Sequence, residues 1–167
     1  MRIRDARLED LGAVARIEGW AIENTPASFL PAARDEADWR GRFGERDAKY
    51  PWVVAEVDEA VVGFAVATRY RARQAYDWTV EVSAYVDASH HRKGIGRALY
   101  TELLSRLTDA GFHLAVAVVV TPNPASERLH ETLGFRRIGT IHEVGWKHGA
   151  WRDTTYFEKR LSEGPPR

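Results

Sequence analysis

No cysteine occurs in the 167-residue chain. Its absence removes disulfides, thiolate metal sites and a cysteine nucleophile together. No apolar run approaches the roughly 20 residues of a membrane span. The start, Met1-Arg2-Ile3-Arg4-Asp5, has no apolar core of the kind a signal peptide needs. Neither sign of charge is in surplus, with 24 Lys and Arg against 24 Asp and Glu. That balance argues against nucleic acid as the main ligand, because a phosphate-tracking surface needs excess cations. It equally disfavours a polybasic membrane-surface protein. Lysine is scarce, four against 20 arginines. Arginine suits bidentate anion binding, although a GC-rich genome produces the same bias. The expectation is a soluble cytoplasmic protein with a single domain over residues 1–161 and a disordered tail over 162–167.

What is present is a regular alternation of signals. Ile3 to Ala6 reads as a strand, and Asp10 can cap a helix to about Asn24 with Leu11, Val14, Ile17 and Ala21 at helical spacing. A second helix is expected over about Asp35 to Asp47, and strands over Trp52–Val57 and Val61–Thr68 around a turn at Asp58-Glu59-Ala60. Trp78 to Val86 alternates, with Glu81, Ser83 and Tyr85 on one face and Val80, Val82 and Ala84 on the other. Gly94 to Ala110 carries a stripe of Ile95, Leu99, Leu103 and Leu107 and stops at Gly111. His113 to Val120 is apolar enough for a strand buried on both faces. Asn123-Pro124 opens a helix to about Leu133, and strands follow near Arg136–Val144 and Arg152–Arg160. The order β-α-α-β-β-β-α-β-α-β-β predicts an α/β (α+β) fold. Its mixed, mostly antiparallel sheet has about seven strands, with about four helices on both faces.

The sharpest local motif is His91-Arg92-Lys93-Gly94-Ile95-Gly96-Arg97, between a strand and an amphipathic helix. Unpaired N–H groups and the positive dipole end suit a phosphate or pyrophosphate there, and glycines permit close backbone approach. A dinucleotide fingerprint needs a third glycine where Leu99 stands. A P-loop needs Gly-Lys-Ser/Thr where the chain has Gly96-Arg97-Ala98. A pyrophosphate loop of an acyl-CoA transferase and a plain strand-to-helix turn both remain.

Glu81 is out of place in mid-strand, where carboxylates are depleted. If its face is partly buried, desolvation raises its pKa toward the range of a useful base; if the strand is an edge, it is only a solvated carboxylate. His130 borders the apolar stripe of its helix beside Leu129 and Leu133, so a core histidine competes with a proton-transfer role. Arg71, Arg73 and Tyr76 can grip an acidic group or form an ordinary solvated loop. Asn123 and Ser126 read as helix caps. Gly63, Ala65 and Ala67 form a small-residue face suited to helix packing. No third ligand stands at metal spacing from His90 and His91, so no metal is expected.

The succession of strand, Gly-x-Gly helix, buried strand, Asn-Pro helix and Gly134-Phe135 exit resembles the GNAT superfamily of N-acetyltransferases over the whole chain. Three separated stretches resemble its phosphinothricin and methionine sulfone/sulfoximine N-acetyltransferases: Arg71 to Glu81, Ser126 to Glu131, and Gly145 to Asp153. The resemblance implies acetyl-CoA as cosubstrate, with Val86, His91, Arg92, Lys93, Gly94, Ile95, Gly96, Arg97, Asn123 and Ser126 on the cofactor side. His91 departs from the family's usual Gln or Arg, which shifts the expected binding toward backbone N–H groups.

The same resemblance implies Glu81 as general base and His130 as acid to the thiolate or partner of Glu81. It implies an amino-acid pocket from Phe29, Arg71, Arg73, Tyr76 and Tyr85, with lysine the family's residue at Arg71. A small-molecule amino-acid substrate, direct attack in a ternary complex and a homodimer complete the expectation. The alternatives are a protein or peptide N-terminal acetyltransferase and a non-catalytic acyl-CoA sensor.

Overall fold

A computed structural model describes residues 1–164. The last three residues of the tail expected over 162–167 lie outside the described residues. The elements follow the expected order: β1 (Arg2–Asp5), α1 (Leu11–Asn24), α2 (Glu36–Glu45), β2 (Trp52–Val57), β3 (Ala60–Arg69), β4 (Thr79–Val86), α3 (Ile95–Asp109), β5 (Leu114–Thr121), α4 (Pro124–Thr132), β6 (Arg136–Lys147) and β7 (Ala150–Arg160). Among the described residues no helix is long and apolar enough to cross a membrane.

The strands form one sheet in the order β1-β2-β3-β4-β5-β7-β6. Every neighbouring pair is antiparallel except β4 with β5. Two apolar layers sandwich it. On one side Leu11, Val14 and Ile17 of α1 and Trp39 of α2 pack on Val54, Phe64 and Val66. On the other, Ile95, Leu99, Leu103 and Leu107 of α3 pack on Val53, Ala65, Val82, Ala115 and Ala117. The small-residue face of β3 serves that second layer. A Cβ on Gly63 would stand 3.1 Å from Leu99 and 3.3 Å from Ile95, so glycine lets α3 settle close to the sheet.

Local chemistry sets the ends of these elements. Asp35 accepts from the Asp38 N–H while the Asp38 side chain returns to the Asp35 N–H, a capping box that starts α2. Asn123 accepts from the Ser126 N–H, with Pro124 next to it, and starts α4. The last two strands run further toward each other than the pattern suggests. Trp146 pairs with Trp151, and His148 and Gly149 turn the chain at positive φ, so Gly145 to Arg152 is hairpin rather than loop. Polar and apolar residues mix along this stretch because it extends past the core, which hides its period. A bulge at His142–Val144 is pinned by Asp153, which accepts from the Glu143 N–H at 2.8 Å and pairs with His142 at 2.7 Å.

Candidate active site

The parallel seam of the sheet is incomplete. β4 pairs with β5 only over Thr79–Glu81 against Leu114–Val116, although both strands continue for five more residues, to Val86 and Thr121. Val82–Val86 and Ala117–Thr121 therefore present open edges to each other across a cleft about 17 Å long at ~3.3 Å per residue. Glu81 is the last paired residue on β4 and stands at the apex. Its side chain points to the α1/α2 face, the face it shares with Tyr85, and it is half-buried. Burial pushes its carboxyl above the usual range, and the nearby positive charge of Arg71 pulls partly the other way.

The mouth of the cleft is built by the glycine loop. Gly94 takes φ +78°, a left-handed conformation that places it at the N-cap of α3. No side chain caps this helix. Its first backbone bond is from the Ala98 N–H to the Gly94 carbonyl, so the N–H groups of Ile95, Gly96 and Arg97 have no helical acceptor. Arg92, Lys93 and Arg97 are exposed, and among the described residues none has a carboxylate within ion-pair distance. Gly96 also serves packing, because a Cβ there would lie 3.3 Å from Leu129 of α4. His91 turns back from the loop. Its Nε2 lies 2.9 Å from the Val86 carbonyl and its ring packs edge-on to Trp20, so it ties the loop to β4 and α1.

The described arrangement does not bring His130 to Glu81. Its ring is buried on the opposite side of the sheet, stacked on Phe157 and edge-on to Tyr100 and Phe135. Nδ1 lies 2.8 Å from the Ser126 carbonyl and must donate to it; Nε2 then accepts from the Tyr100 hydroxyl at 3.1 Å. Burial pushes the imidazole pKa down, so the ring is held neutral. The sheet lies between His130 and Glu81, and both imidazole nitrogens have partners within the fold.

Arg71 is exposed with its charge near Glu81, and Arg73 and Tyr76 are also exposed. Tyr76 packs edge-on to Tyr70, and Arg71 lies over the same Tyr70 ring. Tyr85 is half-buried on the face it shares with Glu81. Its ring stacks on Phe64 in the core and its hydroxyl faces the Ser28 side chain. Phe29, in the α1–α2 loop, is partly exposed and lies against Gly145 of β6.

Residues 14–135 match the model of the Acetyltransferase (GNAT) family. Over 168 residues the chain is 40% identical to a phosphinothricin N-acetyltransferase from Streptomyces viridochromogenes, covering 100% of this chain and 92% of the relative. The chain belongs to the GNAT acetyltransferase family. Over 164 residues it is 34% identical to an L-methionine sulfoximine/L-methionine sulfone acetyltransferase from Salmonella typhimurium, covering 98% of this chain and 96% of the relative. A GNAT phosphinothricin acetyltransferase from Sinorhizobium meliloti, solved in complex with AcCoA, superposes with a TM-score of 0.95 at 37% identity, covering 99% of this chain and 92% of that one.

Two structural relations in this chain are invisible to residue spacing. The cleft depends on where β4 and β5 part, which no single-strand pattern encodes. Lys147, whose ammonium donates to the Ser28 carbonyl at 2.6 Å, lies 119 residues away in sequence from its partner. A surface cavity of about 530 Å³ among Arg42, Arg46, Tyr50, Trp52, Thr68 and Asp77 includes neither Glu81 nor the glycine loop. Among the described residues no group of three His, Asp or Glu could hold a metal ion.

Proposed function

We propose that the protein acetylates the α-amino group of a small amino acid or analogue of the phosphinothricin or methionine sulfone/sulfoximine type, with acetyl-CoA as donor. The observation that carries this reading is Glu81 at the apex of a cleft whose mouth is an uncapped helix N-terminus. Acetyl-CoA supplies the acetyl group as a thioester. The N–H groups of Ile95, Gly96 and Arg97, with Arg92 and Lys93 beside them, suit its pyrophosphate. The open edges of Val82–Val86 and Ala117–Thr121 offer backbone partners to the extended arm that follows. Asn123 and Ser126 stand at the start of α4, which follows β5 at the same mouth.

Glu81 takes the proton from the acceptor ammonium, and the freed amine attacks the thioester carbonyl directly in a ternary complex. Collapse of the tetrahedral adduct breaks the C–S bond, and the CoA thiolate leaves with the proton that the new amide nitrogen gives up. A carboxyl raised by burial suits that task, since it binds the proton more strongly than a solvated one. Arg71, Arg73 and Tyr76 hold the acceptor's carboxylate and its phosphinate, sulfone or sulfoximine oxygen. Phe29 closes the pocket on the α1–α2 side. His130 acts from the buried side as a positioning residue, joining α4 to Tyr100 of α3.

Free-thiol release from acetyl-CoA, measured with phosphinothricin, methionine sulfone and N-terminal peptides, tests the reading. Turnover is expected with the small amino acids. Preference for peptides supports the N-terminal acetyltransferase, and tight CoA binding without turnover supports the sensor.

A homodimer is part of the same proposal, and the exposed edge strand β6 supports it. Ile138, Ile141, Val144 and Trp146, with Trp151 of β7, leave an apolar surface along the outer hairpin, with Trp146 62% and Trp151 58% exposed. Sedimentation velocity of the full chain is expected to give a dimer that Trp146→Glu dissociates.

A further inference from the structure

The α1–α2 loop, residues 25–35, has no helix or strand of its own, yet it is gripped by one strand at the far end of the chain. Lys147 Nζ donates to the Ser28 carbonyl at 2.6 Å and reaches the Leu30 carbonyl at 3.4 Å. These are its only described partners, and the side chain is half-buried on them. Lysine ordinarily keeps its ammonium in water or against a carboxylate. Here it is spent on two neighbouring carbonyls of one loop. Two residues earlier, on the same face of β6, Gly145 makes room for Phe29. A Cβ at Gly145 would stand 2.5 Å from the Phe29 ring, so any other residue pushes the ring away. Trp146, between them, faces the opposite side and stays exposed.

The gripped segment is the one that borders Glu81's side of the sheet. It joins the two helices packed on that face, and Ser28 stands beside the hydroxyl of Tyr85, which shares the face with Glu81. At the other end of the loop, Arg34 pairs with the buried Glu18 at 2.7 Å. The loop is thus anchored to α1 at one end and to β6 in the middle, with Phe29 between the two β6 contacts.

We propose that Lys147 and Gly145 are positioning residues that seat the α1–α2 loop and aim Phe29 at the acceptor, so that the β6–β7 hairpin sets acceptor selectivity. The inference rests on the reading that Phe29 lines the acceptor pocket. It assigns the shape of that pocket to a strand that contributes no reacting group.

The test compares Lys147→Met, Lys147→Arg and Gly145→Ala with the unaltered full chain. Lys147→Met is expected to raise KM for methionine sulfone about tenfold, the loss of a charge-assisted bond. The KM for acetyl-CoA and kcat at saturating acceptor should stay within about twofold. Lys147→Arg should recover most of the loss. Gly145→Ala should change the rank order of amino acids accepted, while its melting temperature separates this effect from misfolding. Hydrogen exchange gives a readout independent of turnover: Lys147→Met should speed exchange in residues 25–35 and leave β4 and α3 unchanged. Unchanged exchange in that loop, or equal rises in both KM values, overturns the proposal. If the unaltered enzyme acetylates no amino acid, the functional reading fails instead, and the exchange result still decides whether the clasp exists.

Discussion

Glu81 and His130 stand on opposite faces of the sheet. Glu81 points toward α1 and α2 from the last paired position of β4, whereas His130 of α4 is stacked on Phe157 and packs against Tyr100 of α3. Each therefore answers to different physics. One is half-buried at a cleft with its proton affinity raised; the other is a neutral, fully hydrogen-bonded part of the core.

Replacing His130 should be felt mainly in stability. His130→Ala removes a buried ring and leaves the Tyr100 hydroxyl without its acceptor, a loss of about 3 kcal/mol. Urea unfolding should report that loss, while kcat of the folded variant falls less than tenfold. A loss of a hundredfold or more in kcat at normal stability contradicts the positioning role.

The same histidine predicts a pH dependence. Its folded pKa is lowered by burial, so between that value and the unfolded value near 6.5 the unfolded chain binds the extra proton. Stability is full above about pH 6.5 and declines as pH falls toward the lowered folded pKa. His130→Gln should flatten this part of the stability profile, as measured by urea midpoints across pH 5 to 8.

Arg71 should tune Glu81. Its positive charge favours the carboxylate, against the desolvation that raises the pKa. Arg71→Gln therefore moves the acidic limb of the kcat/KM profile to higher pH, because Glu81 must be deprotonated to accept the proton. A limb that stays in place shows that the two groups are not coupled.

Gly94 carries a conformation that a side chain resists. At φ +78° any L-residue with a Cβ is strained by about 1–2 kcal/mol, even though nothing crowds the position. Gly94→Ala should lower the melting temperature by several degrees and raise KM for acetyl-CoA more than KM for the amine. Gly96→Ala should instead disturb the α3–α4 contact through Leu129.

The elements were readable because each carries its own signal. Alternation marks Thr79–Val86, a leucine stripe marks α3, and the Asn123-Pro124 cap marks α4. Glu81 was also readable, since a carboxylate in an alternating strand is out of place. The position of His130 was readable only as an ambiguity. Its helix neighbours allow a core or a rim site, and the choice depends on Phe157, whose strand pairs beyond the reach of local spacing. The parting of β4 from β5, the lysine that grips Ser28 and the glycine that admits Phe29 are relations between distant segments. They follow from packing, and residue type alone does not reveal them.

Single-turnover acetyl transfer by Glu81→Gln, at saturating acetyl-CoA and acceptor amino acid, probes the proposed base most directly. Glutamine keeps the shape of the side chain and removes its basicity. The rate should fall by roughly 10²–10⁴ at neutral pH, with unchanged affinity for acetyl-CoA and partial recovery at high pH, where the amine sheds its proton unaided. Near-normal transfer at neutral pH contradicts the assignment of Glu81 as the base at the apex of the cleft.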